Sequence, residues 1–258
     1  MTFQTVADNL RESFRVIAGS RPSGEVRELL GISIASAAVT FQMFNASFLS
    51  APVSSEAELA QRILLAALHF ETRGQEWACW VCEDWMDART RRRSRNLFQK
   101  NGLRHSVTLP GMIAERILPP VKPLPEMEIR RVCDPATRDA FCSIGSICFH
   151  VPPSWFREVF NSEAVWEPFA AYVGYAQGQP VSTAAIVMGS GVAGVYNVAT
   201  LPGYQRNGYG EGVMRYALED ARRNHGIERS VLQSTPAGLR LYERMGYRTI
   251  TTVAVYST

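Results

Sequence analysis

Apolar residues at helical spacing, followed by an alternating run, occur twice along the chain in the same order. Leu59, Ile63, Ala67 and Phe70 fall on one helical face, because residues three and four apart share a side of a helix. Ser55 and Glu58 ahead of them form a capping-box pattern, and Gly74 ends the run. The strand-like WACWVCED, an arginine-rich helix and the alternating SVTLPGMIAERIL come next. Downstream, Val213, Ala217 and Ala221 mark a helix that opens near Gly208 and stops at Gly226. SVLQS, a helix to Met245 and the strand YRTITTVAVY follow it. Between the two runs, EIRRV (128–132) reads as a strand and 136–148 as a helix. AAYVGYAQGQPVSTAAIVMGSGVAGVYNVAT reads as three strands, with turns at Gly178 and at 189–191.

Helix, strand, helix, strand thus appears twice, and a short identity marks the repeat. LFQKNGLR (97–104) matches LYERMGYR (241–248), 144 residues on, with leucine, glycine and arginine identical. The proline-dense LPPVKPLPEM (118–127) lies between the copies. Proline blocks helix and central strand alike, so this stretch reads as a linker. The pattern predicts an α+β (α/β) protein of two related domains, 1–120 and 127–258.

Composition narrows the class. The 258 residues are 46% apolar and 20% charged, with a net charge of +3, which excludes a mainly disordered chain. The first fifteen residues mix charges with apolar residues and show no secretory signal. The uncharged stretch from Leu29 to Ser55 is interrupted by serines, threonine, glutamine, asparagine and proline, so no membrane span is expected. Five cysteines, an odd number, fit reduced thiols and a cytoplasmic location. Cys79 and Cys82 form a lone CxxC inside a strand-like segment with no second pair to complete a metal set, so no metal is expected. Arginines 89, 91, 92, 93 and 95 invite a nucleic-acid reading, but Glu83, Asp84 and Asp87 offset them and no aromatic residues interleave. A solvated helix face is expected, and nucleic acid is not an expected partner.

Candidate chemistry concentrates in VYNVATLPGYQRNGYGEGVMRYALEDARR. A β-rich run ends at Thr200, and a helix opens within Gln205, Arg206, Asn207, Gly208, Tyr209 and Gly210. Glycines let a ligand approach the backbone closely. A helix N-terminus offers unpaired N–H donors and partial positive charge, an anion site suited to pyrophosphate. No Walker lysine follows, and the glycines at 208, 210 and 212 are misplaced for a dinucleotide fingerprint.

The segment resembles the coenzyme A loop of the GNAT superfamily of N-acetyltransferases, with Gln205, Gly208 and Gly210 at the pattern's positions after Leu201-Pro202-Gly203-Tyr204. A second match is LQSTPAGLRLYERMGY, which is similar to the family's later strand–helix segment through Tyr242, Gly246 and Tyr247. The resemblance implies two tandem GNAT-like domains, each a mixed, mostly antiparallel twisted sheet flanked by helices. The N-terminal copy is degenerate, with Ser55, Glu56 and Glu58 where phosphates would sit. It further implies acetyl-CoA as acetyl donor and a primary amine, on a small molecule or peptide, as acceptor. Val198, Ala199 and Thr200 would line the pantetheine, with the Val198 N–H at the thioester carbonyl. Amides of 205–211, including those of Arg206, Asn207, Tyr209 and Glu211, would hold the pyrophosphate.

Tyr242 matches the family's acid for the departing thiolate, its phenol needing position rather than a strong pKa shift. Thr235 replaces the asparagine many relatives carry seven residues earlier, and with Pro236 it reads as a helix N-cap that can also contact the coenzyme. No general base stands out; Tyr196 and Asn197 lie near the centre on opposite strand faces, and His150 is a weak cleft candidate. The expected assembly is a monomer with an internal pseudo-dimer, or a homodimer. Two rival readings are a non-catalytic acyl-CoA-binding sensor on the same fold and a ribosome- or nucleic-acid-associated protein.

Overall fold

The computed structural model describes residues 2–258. Among them, seven α-helices flank one mixed sheet of eleven strands. The first part of the chain contributes α1 (Phe3–Gly19), β1 (Glu25–Leu29), β2 (Ile32–Ser36), β3 (Asn45–Leu49), α2 (Glu56–Glu71), β4 (Ala78–Cys82), α3 (Ala88–Lys100) and β5 (Arg104–Ala114). The second contributes β6 (Glu128–Arg131), α4 (Pro135–Phe149), α5 (Pro153–Val159), β7 (Phe169–Ala176), β8 (Gln179–Gly189), β9 (Val192–Thr200), α6 (Tyr209–His225), β10 (Ser230–Gln233), α7 (Leu239–Arg244) and β11 (Arg248–Ser257).

The strand order is β1-β2-β3-β4-β11-β5-β10-β9-β8-β7-β6. Each half therefore runs inward to its parallel pair, β3 with β4 and β9 with β10. The last strand of each half then crosses to the other. β5 pairs antiparallel with β10, and β11 pairs antiparallel with β4, while β5 and β11 pair with each other at the centre. The two half-sheets expected from the repeat are thus fused through exchanged strands. The exchange is anchored by packing: Phe98 on α3 stacks on Tyr256 of β11, with ring centroids 4.0 Å apart and planes 13° from parallel. At the strand's end the Thr258 N–H donates to the Trp77 carbonyl at 3.1 Å.

Strand alternation assigns the helices to two layers. α2 and α3 cover Ile32, Ile34, Val81, Ala254 and Tyr256, while α6 and α7 cover Met112, Ile186, Val195 and Leu232 on the same side. α1 lies on the opposite side, over Ala35, Phe48 and Val253 in one half and Ile113 and Val231 in the other. α4 and α5 extend that layer over Ala171, Val173 and Ala185.

Local expectations were met with two adjustments. Ser55 accepts the Glu58 N–H, but the Glu58 carboxylate returns to the Ser54 N–H at 2.8 Å instead of completing the box at Ser55. Thr235 does not cap α7. The helix begins at Leu239 after Gly238, and Thr235 instead opens a turn through its carbonyl, which accepts the Gly238 N–H. Pro236 sits inside that turn, and the helix starts three residues later than the sequence pattern places it.

Cys79 and Cys82 lie on β4, three residues apart and so on opposite faces. Burial pushes their thiols up, to about 12 and about 11. The arginine run forms α3, where Asp87 caps the N-terminus and Arg89 and Arg93 pair with Glu56. No described helix is long and apolar enough to cross a membrane.

Candidate functional site

β9 and β10 pair only at Ala193–Ser230 and Gly194–Val231. Beyond that point they share no register, and a gap opens toward their C-terminal ends. β9 widens it further through a bulge. Its register with β8 passes from Tyr196–Ala185 to Ala199–Thr183, so Asn197 and Val198 together face Ala184. Asn197 takes a left-handed φ of +47°, uncommon for any residue but glycine. Its carbonyl is fixed by the Thr183 hydroxyl at 2.8 Å.

The gap leads to the glycine loop. Gly208 is the N-cap of the 17-residue α6, with φ +89°, and Arg206 before it has φ +63°. Gln205 donates its side-chain amide to the Thr200 carbonyl at 3.1 Å and so holds the loop against the end of β9. A Cβ on Gly210 would fall 2.8 Å from Thr200 Oγ1, and one on Gly208 would fall 3.0 Å from Pro125 Cδ. The glycines are therefore required by close packing as well as by backbone conformation. Arg206 and Asn207 are exposed, and the one acid in the first turn, Glu211, is drawn away into an ion pair with Arg215 at 2.7 Å. What remains at the helix start is a loop of backbone donors open to an anion.

Tyr242 and Val198 belong to one apolar cluster beside this gap, with Leu232 and Met245. Tyr242 packs edge-on against Tyr247, with ring centroids 5.9 Å apart. Its hydroxyl makes no hydrogen bond among the described residues, yet it is not among the solvent-shielded polar atoms. The sequence asked only for position; burial adds a shift, raising the phenol to about 12. Thr235 is exposed, at the start of the turn that closes on Gly238, and a Cβ on Gly238 would fall 2.7 Å from the Tyr242 ring. His150 is an exposed left-handed cap at the end of α4. Tyr196, half-buried, donates its hydroxyl to Asn9 Oδ1 of α1 at 2.6 Å.

The corresponding place in the first half is shut. Val53 bridges Met86, and its N–H donates to the Trp85 carbonyl at 2.7 Å, so the chain beyond β3 and β4 closes again. The start of α2 is filled by its own acid: hydrogen bonds from Ser54, with the nearby Arg62, hold Glu58 down to about 2. The Arg62 guanidinium also binds the Gly31, Ala51 and Pro52 carbonyls. This loop therefore presents carbonyls and a carboxylate where an anion site needs N–H groups.

Two residues escaped the sequence reading. Asn9 is fully buried, and its Nδ2 donates to the Val187 and Gly189 carbonyls at 3.2 and 3.1 Å. Its only sequence signal is a polar residue on the apolar face made by Val6, Leu10 and Phe14. Gln233, on β10, has an amide nitrogen that is buried without a partner.

Comparison with known proteins agrees with this geometry. The profile of the acetyltransferase (GNAT) family matches residues 138–247. A GCN5-related N-acetyltransferase from Kribbella flavida is similar in structure over 96% of this chain and 94% of its own, with a TM-score of 0.71 at 18% identity. A functionally unknown conserved protein from Staphylococcus epidermidis ATCC 12228 matches over 92% and 94%, with a TM-score of 0.67 at 13% identity. A GCN5-related N-acetyltransferase from Sphaerobacter thermophilus matches over 88% and 76%, with a TM-score of 0.56 at 13% identity. No curated protein matches the sequence. At these identities the structural likeness is one of fold, and in the first two it extends across both halves. The family profile falls on the half whose central strands stay apart, so residues 138–247 carry an acetyltransferase (GNAT) family domain.

Proposed function

We propose that the protein transfers an acetyl group from acetyl-CoA to a primary amine, using the second half alone as its coenzyme site. The observation that carries this reading is the gap between β9 and β10 running into the Gly208 loop, against its closure by Val53 and Met86 in the first half. Bound acetyl-CoA supplies an acyl carbon activated as a thioester. The N–H groups of 205–211 would hold its pyrophosphate, and Val198, Ala199 and Thr200 would run beside the pantetheine. The Val198 N–H, at the bulge, would stabilise negative charge developing on the acyl oxygen.

The amine nitrogen bonds to the acyl carbon, the carbon–sulfur bond breaks, and the amine's surplus proton passes to water. The phenol of Tyr242 faces the departing sulfur in this reading. Its pKa of about 12 lies well above the ~8.5 of an ordinary thiol. It therefore acts as a hydrogen-bond donor to the thiolate, and the sulfur's final proton comes from solvent. The first half closes one side of the acceptor cleft through α1 and the exchanged β5. The domain limits of 1–120 and 127–258 are proposed as evolutionary units within this fused sheet.

A thermal shift with acetyl-CoA, beside ATP and NAD, tests the coenzyme site. Ligand at about 100 times its dissociation constant adds ~2.7 kcal/mol, a rise of about 5–10 °C for a chain this size. A rise with acetyl-CoA alone is expected, followed by thiol release on adding an amine. No rise at saturating ligand overturns the reading. Binding without thiol release, unaltered in Tyr242→Phe, favours an acyl-CoA sensor.

A further inference from the structure

The buried amide of Gln233 has a definite place in the gap. Gln233 pairs directly with Gly111 of β5, and a Cβ on Gly111 would fall 3.1 Å from Val6 Cγ1 of α1. Directly paired residues share a sheet face, so the Gln233 side chain lies on the α1 side. Toward β9, pairing stops at Gly194–Val231. Two residues further along each strand stand Tyr196 and Gln233, on the same face and on opposite banks of the opening. The Tyr196 hydroxyl is committed to Asn9, while the Gln233 nitrogen, shielded from solvent, has no acceptor among the described residues.

The opposite face of the gap is occupied by α6, α7 and Tyr242. An amine directed at Val198 must therefore approach from the α1 side. There Tyr196, Phe44 and Trp80 pack against the buried cluster that holds Phe14, with Phe14 centred 5.5 Å from Phe44 and 5.1 Å from Trp80. Asn9, Ser13, Tyr196 and Gln233 on this wall are neutral, and a carboxylate on the same face, Asp84, stands beyond Gly111, where it accepts the Thr251 hydroxyl.

We propose, on the acyl-transfer reading above, that Gln233 is a specificity-determining residue for the acceptor. Its Nε2 donates a hydrogen bond to a carbonyl or hydroxyl oxygen of an amine whose body is apolar and uncharged. A polyamine offers no such oxygen and brings further cations beside the neutral and aromatic groups that flank the gap.

The test compares phenylalaninamide, phenethylamine and spermidine by thiol release under saturating acetyl-CoA, in the native protein and in Gln233→Met. The native protein is expected to favour phenylalaninamide by kcat/KM. Gln233→Met is expected to reduce its preference over phenethylamine by about three- to tenfold, mainly through KM, the worth of one hydrogen bond. The variant should melt no lower than the native protein, because methionine replaces an amide whose nitrogen is buried without a partner by an apolar group of similar shape. A lowered Tm with unchanged preference marks a structural role and overturns the proposal. So does preferred turnover of spermidine, or binding of acetyl-CoA with turnover of none of the three amines. Absence of any acetyl-CoA thermal shift is a different result: it removes the acyl-transfer reading itself, and this inference with it.

Discussion

Tyr196 of the bulged strand donates its hydroxyl to Asn9 of the first helix at 2.6 Å, so the rim of the candidate site in one half is held by a side chain from the other. Asn9 also binds the Val187 and Gly189 carbonyls, and with no exposed surface it has no water to replace them. Asn9→Ala leaves two carbonyls and a phenol without partners. The expected loss is about 2–3 kcal/mol, seen as a fall in Tm of about 4–10 °C. Tyr196→Phe removes only one of these bonds and should cost less. Equal melting of Asn9→Ala and the native protein would show that α1 does not brace the site.

Gly208 is the position where the loop tolerates no side chain. Its φ of +89° and the 3.0 Å approach of Pro125 Cδ to a Cβ both oppose alanine. Gly208→Ala is expected to cost about 1–2 kcal/mol in the left-handed conformation. Because the loop must shift to accept it, acetyl-CoA affinity should fall about tenfold or more. Calorimetric titration of the variant reads both the affinity and any change in stoichiometry.

Tyr242→Phe separates hydrogen bonding from packing. Loss of a donor to the developing thiolate should lower kcat by about 10- to 100-fold, with acetyl-CoA affinity nearly unchanged. The pH dependence has a fixed sign. Burial raises the folded phenol to about 12 against about 10 in the unfolded chain. Its protonated form is therefore intact across pH 7–10, and no loss of kcat from ionisation of Tyr242 is expected there. Above pH 10 the unfolded chain releases this proton while the folded one keeps it. Stability then falls as pH rises from about 10 to about 12, by about 2–3 kcal/mol for this group. Denaturant titrations of Tyr242→Phe should show a shallower alkaline decline than the native protein.

The strand exchange predicts that the halves do not fold apart. A fragment of residues 1–120 would carry β5 without β10 and leave β4 without β11, exposing long unpaired edges. Expressed singly, residues 1–120 and 121–258 should aggregate or lack a cooperative melt. Expressed together, they should copurify in equal amounts. A cooperative melt of either fragment alone would contradict the exchanged arrangement.

The repeat, the helix starts and the glycine loop were legible because each rests on local rules. Ser55 capping α2, Asp87 capping α3 and the left-handed Gly208 and Gly226 around α6 follow from the residues beside them. The start of α7 was misjudged because Thr235 and Pro236 satisfy capping chemistry in sequence, while the turn they make is set by where β10 ends.

The sequence by itself determined that the two corresponding helix starts differ in character, since glycines at 208 and 210 and acids at 56 and 58 act through their immediate backbone. Only the tertiary structure decided that β5 and β11 change places, because two alternating strands of similar length fit either partner in pattern. The choice rests on contacts more than a hundred residues apart, such as Phe98 on Tyr256. The same holds for Asn9 and Gln233. A polar side chain in an apolar pattern carries no record of its partner, and whether it has one depends on strands that meet only when the sheet is complete.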